Sequence, residues 1–321
     1  QAFQFSPDGS EPKITPDGEQ IRLVSLPDGP MNLTPKVSKL DNGDFVVVWH
    51  GNSEFSQEWD IFVQRFDAEG KTDGDVSILR GALGMLRDQA PQVSLLSDGG
   101  FVVTWEGLTS DGQGSDIFVQ RFHADDAKNE PSGTIRLHSM SGNLSDVSPQ
   151  VSYLSNGGFV LTWEGFTSDG QGSDIFVQRF DKDGLREGDT IRLQGRSGDL
   201  LDWQPQISPL LKPEAHEQLD NHFAITWTGD TSDSQGWDIF VQVFNEDGDT
   251  VGEISRLRGV FGEFEDYSPQ ITALDNGGFV VVWQGNTSDG EGFDIFVQKY
   301  NLIDKAADDH SDADGLGTAD T

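Results

Sequence analysis

Four times along the chain two aspartates stand five residues apart around a small-residue turn. The pairs are Asp111 and Asp116 in TSDGQGSD, Asp169 and Asp174 in its exact duplicate, Asp233 and Asp238 in TSDSQGWD, and Asp289 and Asp294 in TSDGEGFD. Two carboxylates with the carbonyls of a flexible turn are hard oxygen donors, the set a calcium ion takes. The turn lacks the third carboxylate and the distal bidentate glutamate of an EF-hand loop, and Asp-Gly is also good turn chemistry in its own right. A fifth copy, SEFSQEWD, departs further, with Phe55 in place of the first aspartate and Glu54 beside it. The expectation is calcium at four equivalent sites with a degenerate fifth.

A second set of carboxylates recurs in GMLRDQAPQ, GNLSDVSPQ, GDLLDWQPQ and GEFEDYSPQ, as Asp88, Asp146, Asp202 and Asp266, with Asn32 at the matching place near the start. Around these positions the repeat breaks its own pattern. The residue before the second loop aspartate is Ser115 or Ser173 in two copies but Trp237, Phe293 or Trp59 in the others. The residue after the connector aspartate is Gln89 or Val147, then Trp203 and Tyr267. Aromatic rings stack on the C–H faces of sugars while carboxylates and amides take the hydroxyls. Trp203, Trp237, Tyr267, Phe293 and Trp59 with the four connector aspartates therefore form the candidate ligand surface, or else they cover a junction or dock a neighbouring domain. Glycoside hydrolysis is the alternative chemistry, through a pair such as Asp202 with Asp266 or Glu265. It needs two inequivalent carboxylates, whereas near-identical repeats make their aspartates equivalent, so binding is read ahead of catalysis.

These loops are positioned by a repeat. The tryptophan that closes FVVTW recurs as Trp49, Trp105, Trp163, Trp227 and Trp283, about 56 residues apart, with one longer interval explained by the insertion KPEAHEQLDN at 212–221. Each unit has four short runs rich in valine, isoleucine, phenylalanine and threonine, as in PQVSLL, FVVTW, DIFVQRF and TIRL, separated by Gly/Asp/Ser/Asn turns. They read as strands. Four antiparallel strands repeated five times predict an all-β, five-bladed β-propeller. The expected blades are about 34–80, 90–138, 148–194, 204–258 and 268–301. The last unit lacks an IRL-type fourth strand, and an orphan QIRLVS at 20–25 is expected to close it. Residues 1–19 read as a leader, and the acidic 302–321 as a disordered tail or linker. The aspartate loops and the connectors fall on one face of such a ring.

Bulk composition bounds the rest. The chain has 321 residues, 55 acidic against 21 basic, a formal charge of −34. Nucleic acid and anionic lipid are excluded as partners by repulsion. With no cysteine there are no disulfides, thiolate metal sites or cysteine nucleophiles. No apolar run is long enough to span a membrane.

The phrases GGFVVTWEG and DGQGSDIFVQRFDKDG resemble the tandem repeats of secreted bacterial calcium-dependent adhesins of the RTX type. The ring itself is similar to that of tachylectin-type lectins in fold alone. The resemblance implies export, calcium and attachment to a glycan or cell surface. The expectation is a secreted, non-enzymatic binding module, calcium-dependent and lectin-like or adhesive, acting alone or within a longer chain. The alternatives are a propeller glycosidase and a structural spacer.

Overall fold

The computed structural model describes residues 20–23, 32–40, 43–52, 59–81, 87–109, 114–124, 133–139, 145–167, 172–195, 201–211, 221–230, 236–259, 265–286 and 292–301. These form five antiparallel sheets. Blade one is β1 (Asn32–Lys39), β2 (Phe45–Asn52), β3 (Trp59–Phe66) and β4 (Thr72–Leu79). Blade two is β5 (Asp88–Leu95), β6 (Phe101–Leu108), β7 (Ser115–Phe122) and the short β8 (Ile135–Leu137). Blade three is β9 (Asp146–Tyr153), β10 (Phe159–Phe166), β11 (Ser173–Phe180) and β12 (Arg186–Leu193). Blade four is β13 (Asp202–Pro209), β14 (Phe223–Asp230), β15 (Trp237–Phe244) and β16 (Thr250–Leu257). Blade five is β17 (Asp266–Ala273), β18 (Phe279–Asn286) and β19 (Phe293–Tyr300). The expected five-bladed, all-β architecture is what forms.

Strand alternation makes each blade two-faced. In blade two Phe101, Val103, Trp105, Phe118 and Phe122 meet the aliphatic face of blade one. On the other side Val102, Ile117, Val119 and Leu137 meet the aromatic face of blade three. The same pairing joins blades three and four, and four and five. Each buried Phe, Val or Ile contributes about 1.5–3 kcal/mol, so these four junctions carry the fold. Within a blade the glutamine of DIFVQ plugs a bulge. The Gln178 amide donates to the carbonyls of Arg179 at 3.0 Å and Gly188 at 3.3 Å, where the β11–β12 register slips. Gln64 and Gln242 repeat the arrangement.

Blade five is incomplete among the described residues. Its sheet has three strands, and Ile295 and Val297 on β19 are 72% and 64% exposed where Ile117 and Val119 of blade two are 0% and 1%. Residues 20–23, the described part of the expected closing strand, belong to no sheet, and Ile21 is 55% exposed. Residues 24–25 lie outside the described set, as do the leader and the tail.

Candidate functional site

The inner strands β5, β9, β13 and β17 begin at the connector aspartates, and this placement decides the role of those carboxylates. A strand-initial side chain turns inward beneath the tryptophan of the next strand. Asp146 accepts the Trp163 indole N–H at 3.0 Å on Oδ1 and the Ser139 backbone N–H at 2.8 Å on Oδ2. Asp88, Asp202 and Asp266 do the same with Trp105 and Gly81, Trp227 and Gly195, and Trp283 and Gly259. All four are at most 3% exposed. They staple each blade to the exit of the one before and are not presented to a ligand, which corrects the sequence expectation. Burial pushes Asp88, Asp146 and Asp202 up to about 7 and Asp266 to about 6. In blade one Asn32 takes the Trp49 N–H at 3.1 Å without a charge. The staple also dictates the glycine two places after each tryptophan: a Cβ on Gly165 would lie 2.5 Å from Asp146 Oδ1 and 2.7 Å from the Phe176 ring.

The strand-head aspartates, expected as calcium ligands, are likewise committed. Asp116, Asp174 and Asp238 are 1–2% exposed and pair with Arg136, Arg192 and Arg256 of the neighbouring fourth strand. Asp60 pairs with Arg80 at 3.1 Å. Asp294 differs, being exposed on β19, where no fourth strand among the described residues supplies an arginine. The other halves of the expected calcium loops, Asp111, Asp169, Asp233 and Asp289, lie outside the described residues. Among the described residues no cluster of three acidic or histidine side chains could hold a metal.

Each inner strand then kinks. Thr34, Ala90, Ser148, Gln204 and Ser268 adopt φ of 47–55° where the register slips, a conformation costly for non-glycine residues and concentrated at functional sites. Past the kink, Ser148, Gln150, Gln204, Gln206, Ser268 and Gln270 line a channel cavity of about 210 Å³.

The freed backbone N–H groups at these kinks point to residues that sequence reasoning missed. The position after each FVVTW-type tryptophan is His50, Glu106, Glu164, Thr228 and Gln284 in turn. Glu106 is 7% exposed; it accepts the Gln89 amide at 2.5 Å and the Ser148 backbone N–H at 3.3 Å. Burial raises its carboxyl above the usual range. Glu164, partly buried in the adjacent blade, is pushed up to about 7. Burial is the first cause, hydrogen bonds from Ser173 and the Gln204 backbone oppose it, and the Glu106 charge adds to it. Burial raises both carboxyls, and the Glu106 charge adds a smaller push at Glu164, which favours a protonated Glu164.

The aromatics partly gather as expected. Trp203 packs edge-on against Trp237 at 5.5 Å and Tyr267 at 6.1 Å, and Tyr267 against Phe293 at 5.9 Å, forming one platform across blades four and five. Trp203 Nε1 is buried there without an acceptor among the described residues, and the Tyr267 hydroxyl donates to Glu265. Trp59 has other company: it stacks on His50 at 4.7 Å, and the Arg87 guanidinium lies 4.5 Å from its ring centre.

No family model and no curated protein matches the chain. Solved structures do. An α-L-arabinofuranosidase from Fusarium graminearum in complex with an iminosugar inhibitor aligns over 84% of this chain and 81% of its own, at 13% identity and a TM-score of 0.54. A Penicillium chrysogenum α-L-arabinanase complexed with arabinobiose aligns over 83% and 81%, at 15% identity and a TM-score of 0.53. At these identities the likeness establishes a shared β-propeller fold.

Proposed function

We propose that the chain is a glycoside hydrolase acting on arabinose-containing glycans, with Glu164 as general acid and Glu106 as the ionised partner. The carrying observation is the two carboxylates raised by burial at equivalent ends of β6 and β10, with Glu164 accepting from the backbone of Gln204, the residue after Trp203 of the aromatic platform. This replaces the expectation of a non-enzymatic lectin or adhesin module. That reading rested on the equivalence of repeated aspartates. The connector aspartates and Asp116, Asp174 and Asp238 are held in internal hydrogen bonds and ion pairs, while Glu106 and Glu164 stand at a position that changes from blade to blade. The propeller neighbours, an arabinofuranosidase and an arabinanase, support the same revision.

In this mechanism protonated Glu164 donates to the departing glycosidic oxygen. Glu106, held by Gln89 and the Ser148 N–H, supplies negative charge to the oxocarbenium-like transition state, as nucleophile or as base toward water. Trp203, Trp237, Tyr267 and Phe293 hold the adjoining sugar units by stacking. The test is release of reducing sugar from arabino-oligosaccharides. Glu106→Gln and Glu164→Gln should each lower kcat at least a hundredfold with folding intact; a wild type that binds but releases nothing would overturn the proposal.

A further inference from the structure

Arginines are scarce in this acidic chain, and most described ones are spent on carboxylates, such as Arg80 on Asp60, Arg121 on Asp98 and Arg179 on Glu187. Arg87 is the exception on the site face. It is exposed, forms no salt bridge among the described residues, and stands over Trp59 with its centre 4.5 Å from the ring centroid. A guanidinium held against an aromatic ring by its charge can still offer its forked N–H donors to a planar anion. The same tryptophan stacks on His50 at 4.7 Å. His50 is 4% exposed; Nδ1 bonds the Thr34 hydroxyl at 2.8 Å, and Nε2 is shielded from solvent with no partner among the described residues. Burial and the Arg87 charge lower its pKa, so it adds no second cation beside Trp59.

The location gives the cluster meaning. His50 occupies in blade one the strand position that Glu106 holds in blade two and Glu164 in blade three. One arc thus runs from a cationic, hydrogen-bonding end, through the carboxylate pair, to the uncharged aromatic platform of blades four and five. We infer that the blade-one end is a subsite for the carboxylate of an acidic sugar, with Arg87 pairing the carboxylate through two N–H groups. This rests on the hydrolase reading for the direction of the glycan. The formal charge of −34 repels a polyanion at range, so the ligand is a largely neutral chain carrying an isolated uronate, not a polyuronate.

The test is calorimetric binding of a neutral arabino-oligosaccharide and of one of equal length bearing a single glucuronic acid, to wild type, Arg87→Ala and Arg87→Lys. Thermal melts check that all three fold. Wild type should prefer the acidic ligand at least tenfold, Arg87→Ala should show no preference, and Arg87→Lys should keep a reduced one, having charge without the fork. No preference in wild type, or one that survives Arg87→Ala, overturns the inference. Equal preference for a sulfated analogue also overturns it, since a tetrahedral anion does not need the planar fork. Cleavage of the neutral ligand without acidic preference would sink this subsite and leave the hydrolase standing, whereas preferential binding without cleavage would do the reverse.

Discussion

Asp146 gives the most quantitative prediction. Its carboxyl is 0% exposed, takes N–H donors on both oxygens, and is raised to about 7 by burial. An unfolded aspartate titrates near 3.9. Between those values the folded chain holds a proton that the unfolded chain has lost, so stability falls as pH rises. At ~1.4 kcal/mol per unit, a gap of roughly three units amounts to about 4 kcal/mol, fully present below about pH 4 and lost above about pH 7. Asp146→Asn removes this titration. Its carbonyl can still accept from Trp163, as Asn32 does from Trp49, but its amide N–H₂ then faces the Ser139 N–H, which costs about 1–3 kcal/mol. The variant should therefore be less stable than wild type near pH 4.5 and equal or more stable near pH 8. Urea denaturation across that range at fixed ionic strength measures it. Parallel curves for the two proteins would refute the buried-staple argument.

Three other outcomes follow from the same geometry. Gly165→Ala should destabilise by about 1–3 kcal/mol, because its Cβ would overlap Asp146 Oδ1 and the Phe176 ring; chemical denaturation reads this out. Trp203→Ala and Tyr267→Ala should each raise KM for arabino-oligosaccharides about tenfold, equivalent to ~1.4 kcal/mol, with kcat nearly unchanged. Leu23→Cys with Ile295→Cys, in a chain that has no cysteine, should form a disulfide on oxidation if 20–25 docks on β19 in the register that sets Leu137 against Ile117. Failure to cross-link would count against that docking.

Much of the fold was legible because its determinants are local. FVVTW and DIFVQRF alternate aromatic and aliphatic residues with the two-residue period of a strand, and each became one in all five blades, whereas residues 20–23 of the expected closing strand join no sheet. The site was harder, because carboxylates look alike in sequence whatever lies above them. Asp88, Asp146 and Asp266 read as loop residues, yet each begins a strand and is covered by a tryptophan 17 positions on. That fixed spacing, shared by Asn32 and Trp49, was the available signal of a structural pair. Asp116, Asp174 and Asp238 were similarly readable from the arginine of each following fourth strand, which among the described residues blade five does not place beside Asp294. Glu106 and Glu164 were hidden inside the phrase TWEG, which reads as part of the repeat. Their signal was variation, since the same position is His50, Thr228 and Gln284 elsewhere. In a symmetric scaffold a position that differs between blades with unchanged neighbours is where one blade can do what another does not.

The most direct test of the account is the pH dependence of kcat/KM for arabinobiose hydrolysis. With Glu164 as the acid, activity should fall on an alkaline limb near 7, the value to which burial and the Glu106 charge push its carboxyl, and on an acidic limb as Glu106 protonates. Glu164→Gln should abolish the alkaline limb along with most of the rate. Absence of arabinose release at every pH from about 4 to 8, or an alkaline limb unchanged in Glu164→Gln, would contradict the assignment.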